Sequence, residues 1–130
     1  MIKVGFIGAG DISLLHSEGV YSAENAELTG IWNRTREKAE EKSRLFNCQV
    51  FDTVEDLIEA VDVVYILTNM ETHHQYARQA IDAGKHVLVE KPTAVTIDEI
   101  EDLKKAAKVK GVKVAPVHNY IYAFDFGCLF

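Results

Sequence analysis

Six short runs rich in apolar and β-branched residues recur along the chain, separated by amphipathic stretches of about 10 to 15 residues. No other feature restricts the fold so strongly. The runs are Ile2 to Ile7, Glu27 to Trp32, Gln49 to Phe51, Val61 to Leu67, His86 to Val89 and Val112 to Val117. Strands joined through helices return to the same end of a sheet and so lie parallel. Several runs are apolar on both faces, as strands covered by helices on either side must be. The expected fold is therefore α/β, a doubly wound parallel sheet.

Local signals mark the helices between the strands. Thr72 with Gln75 and Thr96 with Glu99 have capping-box spacing, so each pair is predicted to satisfy amides of a first turn. Thr53 precedes a third, short helix, and Thr35 is expected to cap "REKAEEKSRLF". Gly84 after "AIDA" and Gly111 after "KVK" stand where a left-handed residue ends a helix. No repeat, low-complexity tract or linker interrupts the pattern, and 130 residues suit one compact unit.

A net charge of -6 argues against a nucleic-acid partner, because such a surface needs a basic stripe. Cys48 and Cys128 are far apart and lack any CxxC or Cys/His spacing, so neither a disulfide framework nor a structural zinc site is expected. "MIKVGFIGAG" enters a strand pattern at once, without the h-region of a signal peptide. Apolar runs such as Val63 to Leu67 are too short to span a bilayer. These readings predict a cytoplasmic protein with no membrane partner.

The first strand runs into Gly8-Ala9-Gly10 and then an apolar helix. In that setting the first glycine permits a tight turn and the second lets backbone approach a pyrophosphate; the helix start supplies free amides and partial positive charge. Ser13 occupies the third glycine position of the dinucleotide fingerprint, where a small side chain relaxes the helix packing without blocking the phosphates. Asp11 is expected to face solvent or to cap the helix. About 20 residues further on, where an NAD-binding domain places an acid for the ribose 2′-hydroxyl, the chain reads Trp32-Asn33-Arg34-Thr35. Asn33 does not repel a 2′-phosphate and Arg34 can pair with it, so NADP is favoured over NAD. Asn33 can still bond a ribose hydroxyl, which leaves NAD open.

Ligands of a doubly wound sheet lie outside the carboxyl ends of its strands. Those ends carry Gly8, Asn33, Thr68-Asn69, Glu90-Lys91-Pro92 and His118-Asn119. In "GKHVLVEKP" an apolar strand delivers an acid and an amine directly to that edge. Lys91 there either reaches substrate or nicotinamide, or forms a surface pair with Glu90 worth little. His73 and His74 point about 100° apart on their helix and cannot form the i, i+4 face of a two-histidine metal site, so no metal is expected.

These segments together resemble the Gfo/Idh/MocA family of glucose-fructose oxidoreductases and inositol dehydrogenases, over nearly all of residues 1 to 125. "VGFIGAGDISLLH" is similar to its opening, with Ser13 where Ala or Gly is usual and His16 at the family's histidine. "LTGIWNRTREKA" resembles its second strand and following helix, and "ILTNMETHHQYARQAIDAGKHVLVEKP" its most specific segment. The chain departs from the family at Asn69-Met70, where Pro-Asn is common. The resemblance implies a Rossmann-type domain over 1–118 with cofactor contacts at Gly8, Gly10, Asp11, Ile12, Asn33, Arg34, Thr68, His73, Glu90 and Lys91. Lys91 would be the catalytic residue nearest the chemistry. It further implies hydride transfer between NADP or NAD and a carbinol of a sugar or cyclitol. The second, substrate-binding domain of the family is absent, so the chain alone is expected to bind cofactor without turnover.

Residues 119–130, within "HNYIYAFDFGCLF", look like the crossover into that missing domain. They also fit a final turn packed on the core. A competing function is a single-domain nucleotide-binding sensor or scaffold that forms a homo-oligomer through Tyr120, Tyr122, Phe124, Phe126 and Phe130.

Overall fold

A computed structural model describes residues 1–117 of the chain. His118, Asn119 and the aromatic residues on which self-association would rest lie outside the described residues. The strands are β1 (Ile2–Ile7), β2 (Ala26–Trp32), β3 (Gln49–Val50), β4 (Val63–Ile66), β5 (His86–Val89) and β6 (Val114–Pro116). Between them run α1 (Ile12–Ser22), α2 (Arg36–Phe46), α3 (Val54–Ala60), α4 (His73–Asp82) and α5 (Ile97–Lys110). All pairings are parallel, in the order β3-β2-β1-β4-β5-β6. Strand order reverses between β1 and β4, and a crevice opens at such a switch point.

Two helix layers follow from the two-residue alternation of the strands. Phe6 and Ile7 are both fully buried, yet in different clusters. Phe6 packs with Val20 of α1 and with Ala39 and Phe46 of α2. Ile7 joins Leu57 of α3, Ile81 of α4 and Leu103 of α5. Phe6 also stacks on Tyr65 at 5.3 Å and meets Phe46 edge-on at 6.2 Å. Burial pushes the Cys48 thiol up to about 11, which keeps it protonated near neutral pH.

Several local expectations are corrected. Val61 caps α3 and Val112 precedes β6, so both runs begin later than their apolar residues suggest. Thr35 occupies the cap position of α2 but makes no side-chain cap bond. Thr72 makes none either: a 3-10 turn, Met70–Thr72, precedes α4, and the Thr72 hydroxyl turns back to Thr68 Oγ1 and the Asn69 carbonyl. The β1–β2 register shifts between Val4 and Gly5, making Thr29 an extra residue in β2. A Cβ at Gly30 would lie 2.2 Å from the Phe51 ring, so that glycine admits the aromatic side chain against the sheet. Among the described residues no helix is long and apolar enough to cross a membrane.

The Thr96 box forms in full: Thr96 Oγ1 accepts from the Glu99 amide at 3.1 Å, and Glu99 Oε1 accepts from the Val95 and Thr96 amides. Thr96→Ala is expected to cost about 1 kcal/mol and to lower the thermal midpoint by about 4 °C. A thermal melt checks it; an unchanged midpoint would mean that α5 is held by packing alone.

Candidate functional site

The glycine turn is laced to two neighbouring strands. The Gly8 amide donates to the Trp32 carbonyl at 2.8 Å, and the Leu67 amide donates to the Ile7 carbonyl at 2.8 Å. Gly8 has φ +116°, and a Cβ there would lie 2.8 to 3.0 Å from the backbone of Leu67 and Thr68. Only glycine meets both conditions. Gly10 differs: its φ is not positive, and a Cβ on it would touch nothing within 4 Å among the described residues. The amides of Gly10, Asp11 and Ile12 begin α1 without an acceptor among the described residues. Ser13 is fully buried and donates to the Gly10 carbonyl at 2.6 Å, so it fastens the turn instead of merely filling the third position. The exposed Asp11 makes no side-chain cap bond, and Ile12 is half-buried.

Asn33 closes the next part of the site. Its Oδ1 accepts from the Ala9 amide at 3.0 Å and its Nδ2 donates to the Thr35 carbonyl at 3.0 Å. The side chain therefore rivets the glycine turn to the end of β2. Arg34 is exposed beside it, and Lys38, the third residue of α2, stands in the first turn of that helix. Neither has an ion-pair partner among the described residues. Arg36, in contrast, is bonded to Asp52 and Glu40, and hydrogen bonding to Asp52 first of all raises it above its ordinary range.

Gly8, Gly10, Asn33, Arg34 and Thr68 line one cleft of about 540 Å³, a volume within the range of small-molecule sites. Trp32 and Tyr76 also line it, and their rings meet edge-on at 5.7 Å. Lys38, Trp32 and Tyr76 escaped sequence reasoning; Arg34 precedes the extended cap residue Thr35, so helical spacing could not have paired it with Lys38.

Glu90 and Lys91 lie outside that cleft, on the loop that leaves β5 beside β4. The Lys91 side chain is exposed. Glu90 is held by His16 of α1, with Nε2 to Oε2 at 2.7 Å. His73 is only 1% exposed, and its ring nitrogens face the Pro92 carbonyl at 2.7 Å and the Thr68 carbonyl at 2.8 Å. Its polar atoms are therefore directed at the two loops and not into the cleft. His74 sits on the outer surface, bonded to Asp102 at 2.7 Å; with Arg78 it holds the Asp102 carboxyl below its usual range.

A dinucleotide fits this donor set. Among the described residues, open space over Gly10, unengaged amides at the start of α1 and the unpaired Arg34 and Lys38 are donors of the kind that a pyrophosphate and a ribose phosphate take. Fold and site define an NAD(P)-binding domain of Rossmann type. The chain belongs to the Gfo/Idh/MocA oxidoreductase family, whose NAD-binding Rossmann-fold model matches residues 2–118. It is 34% identical over 122 residues to glucose-6-phosphate 3-dehydrogenase of Bacillus subtilis (strain 168), covering 94% of this chain and 35% of that protein. With the scyllo-inositol 2-dehydrogenase (NADP(+)) IolW of the same organism it shares 33% identity over 129 residues, covering 96% and 35% of the two chains. The crystal structure of GenD2 from gentamicin A biosynthesis, in complex with NAD, superposes with a TM-score of 0.89 at 28% identity, covering 93% of this chain and 35% of that one. The chain thus spans about a third of these relatives.

Proposed function

We propose that this chain is the cofactor domain of an NADP-preferring oxidoreductase that acts on a carbinol of a sugar, cyclitol or related compound. The cation arrangement carries the preference. Asn33 is neutral and engaged on both sides, Arg34 and Lys38 line the cleft without an ion-pair partner among the described residues, and Arg36 is tied to acids. A terminal phosphate on the ribose would meet two cations and no carboxylate supplied by Asn33. The sugar-like substrate class rests on the relatives named above, of which this chain spans 35%.

When bound, the nicotinamide supplies hydride donation or acceptance at its C4. The residues of the chain divide the remaining work. The Gly10, Asp11 and Ile12 amides bind the pyrophosphate, Arg34 and Lys38 bind the ribose phosphate, and Thr68 bounds the cleft on its β4 side. Lys91 offers its amine to the nicotinamide side or to the substrate hydroxyl, while His73 braces the loops of Thr68 and Pro92. The relatives extend well beyond the part they share with this chain, and the reading assigns the rest of the substrate pocket to that further part of such a protein.

Parallel titrations with NADPH and NADH, read by nicotinamide fluorescence and thermal shift, test the preference. NADPH is expected to bind about tenfold or more tightly, from charge-assisted bonds to its extra phosphate. Equal affinities, or tighter NADH, would overturn it while leaving the family intact.

A further inference from the structure

His16 lies on α1, away from the dinucleotide cleft, yet it reaches the loop that carries Lys91. Alternation along β5 explains how. Val87 and Val89 pack toward α4 and α5, so Glu90 projects to the opposite face, where α1 lies. There its carboxylate meets His16 Nε2 at 2.7 Å, with both side chains largely buried at 13% and 19% exposure. The imidazole is itself oriented: its ring stands edge-on to Tyr65 at 5.6 Å and 86°, and Tyr65 stacks on Phe6 of the core. On the other side of Lys91 the Pro92 carbonyl is held by His73 at 2.7 Å. Lys91 is thus an exposed residue between two anchored neighbours.

We propose that His16 is a positioning residue for Lys91, acting through Glu90. By engaging the Glu90 carboxylate on the α1 face, His16 keeps that charge from turning to the adjacent ammonium and fixes the backbone from which the lysine extends. A pre-organised amine needs its supporting residues locked in this manner. The inference rests on the reading of Lys91 as the lysine beside the nicotinamide, and it adds a contact that the glycine loop and Glu-Lys-Pro segment do not disclose separately.

Nuclear magnetic resonance of the lysine amines, dimethylated with isotope-labelled formaldehyde, gives the test. The Lys91 signal is assigned by its disappearance in Lys91→Arg, and its displacement is measured at saturating NADPH. In the unsubstituted chain the signal is expected to move. In His16→Leu the displacement should fall below half, Glu90→Ala should match it, and the double variant should show no further loss, as for two members of one unit. His16→Gln, whose amide N–H can still donate to the carboxylate, should keep most of the displacement. A folded His16→Leu that retains the full displacement overturns the positioning role. If that variant does not fold, Glu90→Ala and His16→Gln decide in the same way. A bound cofactor that leaves the Lys91 signal unmoved in the unsubstituted chain overturns the reading of Lys91 and this inference with it; absence of NADPH binding overturns the cofactor preference at an earlier step.

Discussion

Gly10→Ala is expected to lower NADPH affinity about 30-fold, the equivalent of roughly 2 kcal/mol of lost amide-to-phosphate bonding. The same change should leave the thermal midpoint unaltered or raise it slightly, since alanine at a backbone position it tolerates restricts the unfolded chain by about 0.4 to 1 kcal/mol. The opposite signs are the substance of the prediction. At Gly10 the protein itself makes no demand for glycine: φ is ordinary and nothing lies within 4 Å of an added Cβ. Under the proposed function, a bare backbone there serves the ligand in the cleft. Gly8 supplies the contrast, because its φ of +116° and the Leu67 backbone at 2.8 Å make glycine a requirement of the fold. Gly8→Ala should therefore lower stability as well as binding. Isothermal titration with thermal melts on both variants separates the cases. If Gly10→Ala binds NADPH normally, the pyrophosphate does not cross that residue and the anion edge must be redrawn.

This contrast also shows how far the sequence could be read. Two glycines after a strand are one motif on paper, and only the structure separates Gly8, which the fold needs, from Gly10, which it does not. Strand identity and the Thr96 box were legible because each depends on a few neighbouring residues, and parallel pairing because strands alternate with helices along the chain. The extra residue Thr29 and the close approach of Phe51 to Gly30 were not, since both express contacts between elements. Asn47, which ends α2 with φ 54°, lay within reach because asparagine tolerates the left-handed region, but no glycine drew attention to it. Thr72 misled for a related reason: its spacing to Gln75 is right, but a hydroxyl partner at Thr68 competes for the same side chain. Within the site, the place of Asn33 and Arg34 at the cleft was visible from their distance beyond the glycine turn, but the bonds of Asn33 to Ala9 and Thr35 were not. The bond from His16 to Glu90 spans 74 positions and had no local signature.

Arg34→Glu should reduce NADPH affinity by about 100-fold and leave NADH affinity within about twofold, so that the preference inverts. The loss combines charge-assisted bonds of about 1.5 to 3 kcal/mol with repulsion between the new carboxylate and the ribose phosphate. Lys38→Glu should act in the same direction but only about threefold to tenfold, because an exposed ammonium on a flexible stem makes a diffuse contact where a guanidinium binds phosphate through two parallel bonds. Arg36→Glu is the control: its guanidinium already serves Asp52 and Glu40, so its removal should disturb the start of α2 without selecting between the two cofactors. Both site cations are exposed, and added salt should therefore narrow the gap between NADPH and NADH in the unsubstituted chain. Parallel titrations of the three variants at low and high salt measure every element of this expectation. A preference that survives Arg34→Glu would place the phosphate on Lys38 or elsewhere in the cleft, and a preference insensitive to salt would mean that the phosphate is recognised by buried donors and not by these two exposed charges.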